Sequence, residues 1–124
     1  MLEDIAAHAR EALPTECCGL LVGTATGILA SVRSANIADD PAHRFQIDPK
    51  AHIDARRDAR ARALSVVGFY HSHPSSEPLP SATDLELATY DDHWYLIVRP
   101  LAVGCEARLF RLAGRVFVEE DTTA

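Results

Sequence analysis

The sequence predicts an α/β fold, a mixed and partly curled β-sheet flanked by helices, in one domain spanning residues 1–124. Three observations lead there. Leu2–Leu13 repeats apolar side chains at helical spacing, whereas Cys17–Ala35 and Val103–Val118 each read as two apolar strands around a glycine-containing turn. Between them, a helix-spaced segment at Ala51–Leu64 precedes a strand–helix–strand run from Val66 to Val98. Helices interleaved with strands in this way imply a sheet covered by helices.

The first helix presents Leu2, Ile5, Ala6, Ala9 and Leu13 as one stripe, and Pro14 stops it. His8 lies off that stripe and is expected in solvent. Cys17–Thr24 and Ile28–Ala35 form a hairpin turned at Thr26-Gly27, so Glu16 stands at the mouth of a core strand. A glutamate there is ordinarily just an exposed residue. Asn36–Arg44 is a loop with Asp39, Asp40 and Pro41 as turn formers, and Phe45-Gln46-Ile47 alternates like a short strand. The second helix, Ala51–Leu64, carries Asp54/Arg57 and Asp58/Arg62 at pairing distance and an Ala51-Ala55-Ala59 row suited to close packing. Its arginines, Arg56, Arg57, Arg60 and Arg62, are read as a solvated face rather than a docking site for an acidic partner. Ser81 to about Thr89 is a short helix, Trp94–Val98 a strongly apolar strand, and Val103–Leu112 with Val116–Val118 an edge hairpin. Glu119-Glu120-Asp121 is expected as a frayed acidic tail.

Composition narrows the function classes. Hydrophobic residues at 48% and charged ones at 24% are ordinary for a soluble globular protein. A net charge of −6 and a pI near 5.4 disfavour a general nucleic-acid binder, whose surface would be basic. No apolar run reaches the roughly 20 residues that span a bilayer. The three cysteines are an odd number, and no secretory signal precedes the first helix, so a cytoplasmic location with reduced, buried Cys17, Cys18 and Cys105 is expected. Zinc ligation by the cysteines is disfavoured because adjacent strand residues face opposite sides.

The chemistry is concentrated in Gly68-Phe69-Tyr70-His71-Ser72-His73-Pro74 and the Ser81–Asp84 segment that follows. Alternation along a strand points His71 and His73 into one site. A stiff loop with Pro74, Pro78 and Pro80 delivers the chain to Ser81, and Asp84 falls on the first turn of the next helix. Two imidazoles and a carboxylate then make a zinc site with three protein ligands and a fourth position open, as in hydrolytic zinc sites. Each part has a simpler reading. A lone strand-end histidine is usually a polar loop residue, and Ser81 with Asp84 is a helix capping box. The whole pattern, H-x-H-P, a gap of seven residues after His73, then S-x-x-D, exceeds what packing and turn chemistry require.

That pattern resembles the signature of the JAMM (MPN+) metalloproteases, in their compact bacterial form. The same family carries an upstream glutamate between helix and strand, and Glu16 in Pro14-Thr15-Glu16-Cys17-Cys18-Gly19 matches it. The resemblance covers nearly the whole chain and implies the JAMM/MPN fold, which is cytidine-deaminase-like. It implies zinc on His71, His73 and Asp84, Glu16 as the general base, and the Ser81 hydroxyl as a donor to the oxyanion. It also implies cleavage of peptide or isopeptide bonds at the C-terminal Gly-Gly tail of a ubiquitin-like sulfur-carrier protein, which would be the partner. Rival readings are a non-catalytic module keeping zinc as a staple, a cell-wall peptidase, and a DNA-repair-associated module with a similar signature. A nucleobase deaminase would need H-x-E with P-C-x-x-C, and the chain has neither.

Overall fold

The computed structural model describes residues 1–120, so the Asp121 end of the expected acidic tail lies outside it. The element order is α1 (Leu2–Ala12), β1 (Cys18–Thr24), β2 (Gly27–Ser34), α2 (Pro49–Ala61), β3 (Ser65–Ser72), α3 (Ala82–Leu87), β4 (Trp94–Pro100), β5 (Cys105–Ala113) and β6 (Val116–Glu120). The strands form one six-stranded sheet in the order β2-β1-β3-β4-β5-β6. Every neighbouring pair is antiparallel except β3 and β4. A parallel pair needs a crossover, and residues 73–93 with α3 supply it. This is the mixed, helix-flanked sheet that the sequence predicts.

Alternation along the strands divides the core between the two faces of the sheet. Ile5 and Ala9 of α1 pack with Leu21, Tyr70, Leu96 and Val98 on one face. Ala55 and Ala59 of α2 pack with Leu20, Val22, Phe69 and Tyr95 on the other. Leu20 and Leu21, or Phe69 and Tyr70, therefore separate cleanly onto opposite sides. Among the described residues, no helix is long and apolar enough to cross a membrane.

Gly68 pairs with Trp94 in the parallel β3–β4 ladder. A Cβ built there would collide with the Trp94 carbonyl oxygen. Gly68→Ala is therefore expected to destabilise the protein by about 1–3 kcal/mol through forced separation of the two central strands. A urea melt of the variant checks this, and a midpoint equal to wild type would show that the strands adjust without loss.

Several elements depart from expectation for identifiable reasons. The helix α2 starts at Pro49, not Ala51, because Asp48 caps it by accepting from Lys50 N at 3.2 Å and proline suits the first helical position. It ends at Ala61, short of Leu64, where Ala63 takes a positive φ of 60°. Asp54 pairs with Lys50 at 2.7 Å instead of Arg57, while Asp58 and Arg62 meet at 3.0 Å as their spacing suggests. Phe45–Ile47 is not a strand, and only Ile47 bridges to Asn36. His8 is half-buried rather than fully in solvent, and its Nδ1 lies 2.8 Å from the Tyr70 hydroxyl. Glu119 and Glu120 belong to β6, where cross-strand Arg108 and Arg111 bond them at 2.6–2.8 Å. Cys17 and Cys18 are buried as expected, but Cys105 is only half-buried.

Candidate metal centre

Three elements bring the candidate residues together. His71 lies in β3 between Cys18 of β1 and Ile97 of β4, and His73 continues the line by donating its N–H to the Val98 carbonyl at 2.8 Å. Both imidazoles are buried, with 2% and 6% exposure, and their Nε2 atoms stand 3.3 Å apart. The proline loop then returns the chain to Ser81. Its Oγ accepts from Asp84 N at 3.0 Å, and its N–H donates to Asp84 Oδ2 at 2.9 Å, a complete capping box. The box fixes the Asp84 carboxylate 3.2 Å from His71 Nε2 and 3.0 Å from His73 Nε2. Capping box and candidate ligand are thus one arrangement.

The donor set fits a cation. His73 Nδ1 donates to the Glu77 carbonyl at 2.8 Å, so in the neutral ring Nε2 carries only a lone pair. The donor atoms of His71, His73 and Asp84 all lie within 4.8 Å of one another. Two imidazole nitrogens and a carboxylate aimed at one point repel unless a positive charge stands between them. Burial disfavours a charge on His73, but Asp84 and the Glu77 carbonyl outweigh it and raise the His73 pKa above its ordinary value. Burial pushes the His71 imidazole down, against the pull of Asp84. Asp84 is buried as well, yet the two imidazoles and the Ser81 N–H hold its carboxyl well below the usual carboxylate range.

Glu16 completes the group. The antiparallel register of β1 and β3 pairs Cys18 with His71, so extending it by two residues sets Glu16 opposite His73 on the same face. Glu16 is 5% exposed. Its Oε1 is, among the described residues, the one buried side-chain oxygen or nitrogen without a hydrogen-bond partner. Burial first, and the Asp84 charge second, push the Glu16 pKa up to about 7. A buried, unpaired carboxyl beside a cation-shaped donor set is unexplained by packing.

Three further residues, Ser72, Phe45 and Asn36, bear on this site. Ser72, between the histidines, faces the opposite side, where its Oγ accepts the Cys17 N–H at 2.8 Å and ties β3 to the strand entrance beside Glu16. Phe45 lies flat on the His71 ring, with centroids 4.4 Å apart and planes 17° from parallel. Asn36 bonds the loop that carries it. Only the alternation of His71-Ser72-His73 offered a local signal, and that for Ser72 alone.

A mixed α/β sheet with a His–His–Asp set at a strand end that could hold a metal ion, and an unpartnered carboxyl beside it, is an arrangement suited to a hydrolase. Residues 1–112 match the family model of prokaryotic homologs of the JAB domain. The chain belongs to this JAMM/MPN family. It is 38% identical to a desampylase of Haloferax volcanii over 104 residues, covering 79% of this chain and 75% of the relative. It is 30% identical over 100 residues to a CysO-cysteine peptidase of Mycobacterium tuberculosis, covering 79% and 68% of the two chains. The solution structure of protein DSY2949 from Desulfitobacterium hafniense superposes with a TM-score of 0.85 at 32% identity, covering 96% of this chain and 84% of that one.

Proposed function

We propose that this chain is, as one domain, a zinc-dependent hydrolase that cuts the peptide or isopeptide bond following the C-terminal Gly-Gly of a small ubiquitin-like sulfur-carrier protein. The observation that carries the reading is the unpartnered Glu16 Oε1 beside the His71–His73–Asp84 set. A zinc kept only as a structural staple has no use for a buried free carboxylate. The names of the relatives, a desampylase and a CysO-cysteine peptidase, support the substrate class.

Zinc, when held by His71, His73 and Asp84, supplies a Lewis acid that polarises the scissile carbonyl and acidifies water. Glu16 takes the proton from the attacking water and returns it to the leaving amine. Glu16 would stand ionised for the first of these steps if a dication were held beside it. Ser81 Oγ spends a lone pair on the Asp84 N–H, which leaves its own proton free to donate to the developing oxyanion. Capping the helix and serving the transition state are therefore compatible uses of one hydroxyl.

A cavity of about 370 Å³ is lined by Phe45, which stacks on His71, and among others by His52, Phe69, Leu87, Tyr90 and Tyr95. Phe69 precedes His71 by two residues on β3 and faces the same side, about 6.6 Å away along the strand. An extended substrate advances about 3.3 Å per residue, so the residue two positions before the final glycine, the first with a side chain, would lie over this aromatic floor. Glycine next to the bond lets the backbone approach a crowded centre. Incubation with a sulfur-carrier protein extended past its Gly-Gly, followed by mass measurement, tests the assignment. The expected products are the carrier ending in Gly-Gly and the released extension. Intact carrier alongside efficient cleavage of cell-wall peptides would replace this substrate class with the other.

A further inference from the structure

The segment between β2 and α2 joins the two halves of the site. Asn36 Nδ2 donates to the Glu16 and Arg44 carbonyls, each at 3.0 Å, and more distantly to the Pro41 carbonyl at 3.4 Å. Its Oδ1 accepts from Ala38 N at 3.1 Å and from Gln46 N at 3.0 Å. The Pro41 carbonyl in turn accepts the Glu16 N–H at 2.7 Å. Both backbone polar groups of Glu16 are thus held by residues 36–46, and that loop is folded around a single carboxamide. The same loop presents Phe45 flat against His71. His73 has the Glu77 carbonyl to fix its ring, whereas the broad face of the His71 ring is set by Phe45.

We propose that Asn36 and Phe45 are positioning residues that hold the Glu16 carboxylate and the His71 imidazole in one fixed relation. The proposal rests on the reading of Glu16 as base and His71 as ligand. A loop needed only to close the fold would not require its one stacking aromatic to lie on a candidate ligand, nor its central amide to bond the residue that carries the candidate base. Displacing either group by a fraction of an ångström affects proton transfer and coordination geometry more than substrate binding. Such outer contacts to metal ligands typically matter by 10–100-fold (about tenfold to a hundredfold in activity or affinity).

The test uses the full chain loaded with cobalt(II), whose visible absorption reports coordination geometry, together with turnover of the Gly-Gly-extended carrier. Phe45→Leu is expected to shift the cobalt absorption and to lower kcat about tenfold with KM within about twofold. Phe45→Tyr, which keeps the stacking face, should restore both. Asn36→Asp, which keeps the acceptor but removes the donors to Glu16, should lower kcat by a similar factor with the cobalt spectrum less changed. Wild-type spectrum and kcat in Phe45→Leu, whatever its melting temperature, would overturn the proposal and leave the loop a packing element. If Asn36→Asp fails to fold, the two Phe45 variants still decide. If the wild type cuts no carrier, the substrate reading fails while the cobalt spectra still test the positioning. Failure of the wild type to bind cobalt overturns both.

Discussion

Glu16→Gln is expected to leave the fold and the bound zinc in place while lowering turnover by about 10²–10⁴-fold, the range that a positioned general base contributes. The amide keeps the shape of the side chain and removes its ability to take a proton. The loss should therefore fall on kcat, with KM little changed. Near-normal turnover would make Glu16 a bystander, and loss of zinc would make it a ligand. A second measurement separates the chemistry from the fold. In the metal-free protein the Glu16 pKa is raised from 4.5 to about 7, chiefly by burial, so the folded state favours the protonated form. The penalty for ionising it is absent below pH 4.5, grows between 4.5 and about 7, and is complete above that. Metal-free Glu16→Gln should accordingly gain stability over metal-free wild type as pH rises through that window, by about 1–3 kcal/mol, the usual penalty of a buried polar group without a partner. Urea melts at pH 5 and pH 8 check the sign, and an equal difference at both would remove Glu16 as the buried titrating group.

Part of the site is legible in the sequence because its logic is local. His71 and His73 share a face by strand alternation, and Ser81 with Asp84 is recognisable as a capping box from spacing alone. Glu16 is different. Its place depends on the register between β1 and β3, a pairing of residues more than fifty positions apart, and nothing in its neighbours marks it. It was legible only through resemblance to the family. Asn36 and Phe45 depend on how an irregular loop closes over two strands, so neither periodicity nor turn chemistry points to them. The elements misplaced at their ends follow the same division. Asp48-Pro49 carries both a helix cap and a first-turn proline, yet the pair also reads as a turn, and only the packing of Ala55 and Ala59 decides for the helix. Glu119 and Glu120 look like a solvated tail until their cross-strand arginines are known.

His73→Ala is expected to reduce zinc content from about one per chain to a small fraction and to abolish hydrolysis, because a three-ligand site that loses an imidazole keeps too few donors. Cys105→Ser should change neither, which separates this site from one that uses Cys105. The pH dependence of zinc's stabilising effect gives a sharper readout. In the metal-free protein Asp84 is depressed, so its contribution to stability is present above its unfolded value of 3.8 and lost as pH falls through the folded one. His73 is raised, so its contribution is full below 6.5 and lost as pH rises through its folded value. A proton on His73 therefore competes with zinc at low pH, and that competition eases as pH rises through the raised His73 value. The rise in melting temperature on adding zinc should be small at pH 5 and large at pH 8 in wild type, and absent at both in His73→Ala. Unchanged zinc content in His73→Ala, or a zinc effect that does not grow with pH, would mean that the metal is held elsewhere.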